Sequence, residues 1–439
     1  MSDDDKRIRE ILAACSKDSV FRSALSDLSG ESDRHLNLTG MTNPQKALVA
    51  LALARETGKR PVFLVPDELR ARSLQQDLAA FLPEEDVAIL RPREINFADV
   101  DASSRESEFS RLAVIRRLLS LEFGAVILTA SSLLCRMPPR SDFDAMSLSL
   151  AVGSTVNPED LAMRLTEIGY ERTRNVEGEG EFARRGDIFD IYPVGSEEPV
   201  RISFFDEDID QMKFFDLSTQ RSTEQIREIR IVPAREFRIL ADKREQAARA
   251  ISEAGHAASR NAAANGADRD TCENFIRNAS QDADRILTGM PMAAPEKWMS
   301  ILFPDSCSAL DYVKGNGCLL FLDETLQFRK RLDSAQADYI QRFTSLFEKG
   351  QVPPSAAESI FRGAEIFKKL DREFRTITLS ELPASGNGFP GGHDYSVPGR
   401  ASDSFRGHEE RLSDLLKKRT AEKKSTYLLT GEGTRTDRL

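Results

Sequence analysis

Between Gly169 and Glu236 the chain runs through short stretches of β-branched and aromatic residues broken by turn residues, and no helical period fits them. Gly178 and Gly180 bracket one turn, Phe182–Tyr192 is an extended run, and Pro193–Pro199 is a second turn. Val200–Phe205, Ile209–Phe215 and Ile229–Val232 follow, a density that predicts an antiparallel meander. Successive side chains of a strand point to opposite faces. In a continuous strand Phe182, Ile188 and Tyr192 fall on one face, and Arg185, Asp187 and Phe189 on the other, with Ile191 at its edge. An arginine, a carboxylate and an aromatic on one face suit a protein contact surface. The same pattern also suits a core phenylalanine beside a solvated arginine.

Upstream, residues 1–145 alternate helix and strand signals. Asn43 caps a helix with Pro44 at its first position and Gly58 at its close. Pro61–Val65, Val87–Leu90 and Ala125–Thr129 read as buried strands, separated by helices over Asp67–Leu82 and Ser104–Glu122. This alternation predicts a parallel sheet covered on both sides, an α/β domain. A helix opening at Asn157-Pro158 and closed by Gly169 turns Leu161, Leu165 and Ile168 toward the meander, so residues 146–235 form an inserted α+β domain. Residues 236–385 complete the first domain, with exposed helices, a helix break near Asn261–Gly266 and strands at Cys318–Glu324 and Thr376–Leu379. Glycines and prolines mark 386–404 as a linker, and 405–439 read as the start of a third α/β domain with a strand at Thr426–Thr430.

Two segments invite a test for nucleotide chemistry. Gly40 to Ala47 lies in the register of a phosphate-binding GxxxxGK[ST] loop, in which glycines free backbone N–H groups and the final hydroxyl holds magnesium. Here Gln45 replaces the second glycine, Ala47 replaces the hydroxyl, Pro44 has no N–H, and Lys46 alone remains. Asp323 and Glu324 end an apolar strand in the outline of a Walker B motif, whose acids orient magnesium and polarise water. Without the phosphate and magnesium partners both segments read as relics, and no catalytic residue, cofactor or metal is assigned to this chain.

The central stretch resembles the second domain of the bacterial transcription-repair coupling factor family (Mfd) and, more distantly, the matching domain of the UvrB family. GYER at 169–172, EFARRGDIFDIYPVGSEEPVRISFF at 181–205, FDLSTQRS at 215–222 and IVPARE at 231–236 carry the resemblance. It implies a UvrB-like module: a discontinuous, RecA-like parallel α/β domain with a degenerate nucleotide site, and an inserted domain that binds UvrA, the damage-recognition ATPase. Carried over, the UvrA contact involves Arg172, Arg185 and Phe189, with Arg184 and Asp187. The family pattern has one arginine before the glycine, so the Arg184-Arg185 pair leaves open which of the two points outward. The decayed loop sides with the coupling factor, since UvrB keeps an intact loop and hydrolyses ATP. On this resemblance the chain is an N-terminal portion. The polymerase-binding domain, the ATP- and magnesium-dependent DNA motor and the segment that masks the UvrA-binding face lie downstream in the family, with RNA polymerase and double-stranded DNA as their partners.

At 439 residues the chain is long enough for about three domains. Its net charge of −10 argues against a chain devoted to gripping nucleic acid, which needs concentrated Lys and Arg. The five cysteines, without CxxC spacing, suit reduced thiols, and no stretch reaches a membrane span, so a cytoplasmic protein is expected. The four histidines lack metal spacing and read as surface residues. Three functions follow for testing: a UvrA-recruiting module, an ATP-driven UvrB-like DNA helicase, and a non-specific DNA binder.

Overall fold

Strands buried on both faces read as unbroken apolar runs, and those with one wet face alternate. The computed structural model describes residues 3–30, 35–93, 105–290, 292, 294–315, 317–382, 388–397, 409–422 and 426. Its first strands are β1 (Leu36–Thr39), β2 (Arg60–Val65), β3 (Val87–Leu90) and β4 (Ala125–Thr129). The central part supplies β5 (Leu148–Ala151), β6 (Glu171–Arg172), β7 (Glu181–Arg185), β8 (Ile188–Ile191), β9 (Val200–Phe205), β10 (Asp208–Phe215), β11 (Ser222–Ile226) and β12 (Glu228–Ile231). Later come β13 (Cys318–Asp323), β14 (Thr376–Ser380) and β15 (His393–Ser396).

A seven-stranded parallel sheet runs in the order β15-β1-β14-β13-β2-β4-β3. Because neighbouring side chains point opposite ways, Phe63 and Phe321 feed one apolar layer with the helix Asn43–Thr57, and Val62 and Leu322 feed the other with Leu112 and Phe328. β13 lies between β2 and β14, so strands from both sides of the central insertion in sequence close this α/β sheet.

The expected linker contains β15. Asn37 on β1 draws it in: its Nδ2 donates to Asp394 Oδ1 at 2.8 Å, and its Oδ1 accepts from Phe389 N at 3.1 Å. Gly388 serves this close approach rather than looseness, since a Cβ there would lie 2.4 Å from Asn37 Cγ. Residues 386–387 and 398–404 of the expected linker, and the expected strand beyond Thr426, lie outside the described residues. His35 is also buried rather than at the surface, stacked on Phe389 at 4.2 Å with Nδ1 accepting from Thr376 N at 3.1 Å.

The second sheet has the order β11-β10-β9-β8-β7-β6, antiparallel except for the parallel β6–β7 pair. β5 and β12 pair separately as an antiparallel ribbon. Asn157 Oδ1 accepts from Glu159 N and Asp160 N to start the helix Pro158–Glu167, whose Leu161 and Leu165 are buried with the inner face of the sheet.

One expectation fails here with consequences for the site. Phe182–Tyr192 is not a continuous strand, because Gly186 (φ +61°) and Asp187 form a two-residue loop that pairs Arg185 with Ile188. Directly paired residues share a face, so the loop resets the alternation. Phe182, Arg184, Phe189 and Ile191 lie on the inner face, and Ala183, Arg185, Ile188 and Asp190 on the outer one.

Past β12, Glu236 is fully buried, and its carboxylate takes both arms of Arg111 at 3.0 and 2.8 Å, fastening the exit of the central sheet to the helix Arg105–Ser120. The helices Arg244–Ala264 and Arg269–Leu287 then form an antiparallel hairpin around Gly266 (φ +81°). Trp298 packs against this hairpin and donates from Nε1 to Asp282 Oδ2 at 2.8 Å.

Candidate functional site

The first place to look is the carboxyl edge of the parallel sheet, where open α/β folds bind ligands. β1 ends at Gly40 (φ +89°), where a Cβ would lie 2.7 Å from the Val397 carbonyl oxygen, so this glycine accommodates β15. Thr42, one residue before the expected Asn43, caps the following helix, and Gln45 Oε1 accepts from Thr42 N at 2.9 Å. Gln45 in the glycine position therefore works as a capping-box partner.

Lys46 is 1% exposed and points inward. Its Nζ donates to Asp323 Oδ1 at 2.7 Å and to Glu324 Oε1 at 2.6 Å. Arg70 Nε donates to Asp323 Oδ2 at 2.5 Å, and Glu381 N donates to Glu324 Oε1 at 2.8 Å. Gly40–Ala47 and the Asp323-Glu324 pair are thus brought together, and Lys46 is the partner of both acids. Lys46 and Arg70 face Asp323 and Glu324, with Asp77 Oδ2 3.7 Å from Arg70 Nη1, so the lysine that would meet phosphate is already committed. Ala47 is fully buried and offers no hydroxyl.

The second place is the outer face of the six-stranded sheet. Arg185, at the end of β7, is exposed on this face; Arg172, on the edge strand β6, is exposed too, but its pairing with Phe182 sets it on the inner-face side of the sheet edge. Arg185 Nη2 donates to the Arg174 carbonyl at 3.1 Å and also to Asn175 Oδ1, both neutral acceptors. Arg184 turns the other way and forms an ion pair with Glu159 on the helix Pro158–Glu167. Of the paired arginines, Arg185 is therefore the outward one. Asp187 is exposed at the hairpin tip, and its carbonyl accepts from Phe204 N at 2.8 Å.

Phe189 is corrected. It is fully buried on the inner face, stacked on Phe182 at 5.5 Å and edge-on to Phe204 at 6.5 Å, so it supports the sheet and has no surface to offer a partner. The outer face has its own polar brace, in which Arg201 donates to both oxygens of Asp190 at 2.7 and 2.9 Å and lies 4.6 Å over the Phe215 ring. The Asp190 bonds raise the Arg201 pKa. Two outer-face residues escaped the sequence reading: Ile188, 42% exposed, and Phe205, 78% exposed. The Gly-Asp pair at 186–187 was the signal for both the loop and the changed alternation.

Residues 148–237 match the family model of the UvrB interaction domain. The interaction domain takes in β5 to β12, hence the whole six-stranded sheet and the ribbon. Beyond it, the chain is 32% identical over 333 residues to the transcription-repair-coupling factor of Bacillus subtilis, covering 76% of this chain and 28% of that protein. Against the transcription-repair-coupling factor of Escherichia coli it is 30% identical over 220 residues, 49% of this chain and 19% of the relative. Against the UvrABC system protein B of Thermotoga petrophila it is 28% identical over 236 residues, 50% of this chain and 35% of the relative. The chain thus spans between 19% and 35% of the length of these three proteins. The set is consistent with the N-terminal region of a coupling factor. No helix among the described residues is long and apolar enough to cross a membrane. No group of His, Cys, Asp and Glu among the described residues is placed to hold a metal ion.

Proposed function

We propose that this chain is a recruiting module of nucleotide excision repair that binds UvrA through the outer face of its interaction domain and carries out no ATP chemistry of its own. The observation that carries the reading is that the interaction-domain match coincides with a sheet whose outer face presents Arg185 and whose β6 edge exposes Arg172, neither of them in an ion pair among the described residues. A guanidinium that is exposed and bound only to neutral acceptors keeps its charge for a carboxylate of a partner. Arg184 and Asp187 hold the hairpin in place beside it. The commitment of Lys46 to Asp323 and Glu324 supports the second half of the proposal. Any dealings with RNA polymerase or double-stranded DNA belong, on this proposal, to a longer protein carrying the module.

Binding of purified UvrA to the chain tests the reading. Arg185→Glu is expected to cost about 2 kcal/mol or more, the size of an interface anchor, and Arg184→Ala much less. Unchanged binding by a folded Arg185→Glu variant would remove the assigned face. Magnesium-dependent ATP binding at micromolar levels would remove the claim that the chain has no nucleotide chemistry.

A further inference from the structure

Arg185 is paired with Ile188 across the β7–β8 hairpin, Ile188 is paired with Ser203 on β9, and Phe205 lies two residues further along β9. Paired residues and residues two apart share a face, so Arg185, Ile188, Ser203 and Phe205 form one row on the outer face, with its two ends on the order of 12 Å apart. The row ends in a phenylalanine that is 78% exposed.

The fold holds the backbone that carries that phenylalanine in place. The turn after it passes through Asp206 at φ +59°, a left-handed conformation uncommon outside glycine and at home in a tight hairpin. The segment 153–157 clasps the same tip: Thr155 Oγ1 donates to Asp208 Oδ1 at 2.6 Å, Asn157 Nδ2 to Glu207 Oε1 at 2.6 Å, and Val156 N to the Glu207 carbonyl at 2.7 Å. The Phe204 N to Asp187 O bond ties this tip to the Arg185 hairpin. An aromatic residue carried on a backbone already ordered before binding costs only its own side-chain freedom on binding, which is how a small number of residues come to dominate an interface.

We propose that Phe205, backed by Ile188, is the apolar anchor of the UvrA contact, entering an apolar recess on the partner bordered by basic side chains. The basic border follows from the exposed acids Asp187, Asp206, Glu207 and Asp208 at the two tips. Continuity with Arg185 on one face commits the row to a single occupant, so the inference rests on the recruiting role proposed above.

The test is UvrA binding to the full chain by biolayer interferometry at two salt concentrations, with melting temperatures recorded for each variant. Phe205→Ala and Phe205→Ser are expected to weaken binding about 30-fold or more while melting like the unaltered chain, because the removed ring is exposed. Phe205→Leu is expected to recover most of the affinity. The loss at Phe205 is expected to persist at high salt, whereas the loss in Arg185→Glu shrinks as salt screens the charge. If Phe205→Ala and Phe205→Ser bind like the unaltered chain while Arg185→Glu fails, the anchor is overturned and the recruiting role stands. If the unaltered chain does not bind UvrA, both fall together.

Discussion

Lys46 and Asp323 lie 277 positions apart in the chain and meet at 2.7 Å in an ion pair buried on both sides. Each comes from a segment in the outline of a nucleotide motif, and Glu324 and Arg70 complete the cluster of charges.

Removing Lys46 leaves two carboxylates with too little positive charge in a buried site. Lys46→Met is expected to lower the unfolding free energy by about 3–5 kcal/mol, read from the urea midpoint. Adding Glu324→Gln recovers part of that loss by removing one of the stranded charges. A midpoint unchanged in the single variant would show that the cluster contributes nothing to stability.

Phe189 is core, so its truncation acts through folding. Phe189→Ala is expected to destabilise by about 3–5 kcal/mol, with the melting temperature falling accordingly. Binding to UvrA, corrected for the folded fraction, stays unchanged. A variant that melts normally but binds poorly would return Phe189 to the surface.

Asp216, in the loop between β10 and β11, accepts hydrogen bonds from Ser218 Oγ and Thr219 N, which hold its pKa down from 3.8 to about 2. A carboxylate held down in the folded state stabilises it fully above the unfolded value and loses that contribution as pH falls through the folded one. The Asp216 carboxyl resonance is expected to titrate near pH 2, with loop protection decaying between about pH 4 and pH 2. A midpoint near 4 by NMR would contradict the bonding.

Gly255 lets the two long helices touch, for a Cβ there would lie 2.2 Å from Ala279 Cβ. Gly255→Ala improves helix propensity by about 1 kcal/mol, but overpacking opposes it by about 1–3 kcal/mol. The expected result is a net loss, seen as faster hydrogen exchange confined to the helices Arg244–Ala264 and Arg269–Leu287. Slower exchange there would mean the helices part without cost.

The parts of the fold that were legible are the ones whose signals are local. Apolar runs such as Ala125–Thr129 announce fully buried strands, and Asn157-Pro158 announces a helix start, because the determinants lie within a few residues. The misreading of Phe189 came from one overlooked loop. Arg185 and Ile188 have opposite parity in sequence yet share a face once Gly186 and Asp187 turn the chain, so every later assignment on β8 was inverted. The edge strand β15 was hidden because the glycines before it, Gly388 and Gly392, look like a linker until Asn37 is seen filling the space beside them.

The sequence alone determines a parallel α/β sheet interrupted by a meander, and a segment at 40–47 without the second glycine and the hydroxyl that a phosphate-binding loop uses. Those properties depend on residue order over short spans, where periodicity and backbone chemistry act directly. Which arginine faces outward, what Lys46 holds, and that Phe205 stands exposed beside Arg185 were decided only by the tertiary structure. Each depends on strand pairing and on charges brought together from distant segments, and the free energy of such contacts exists only once the chain has closed around them.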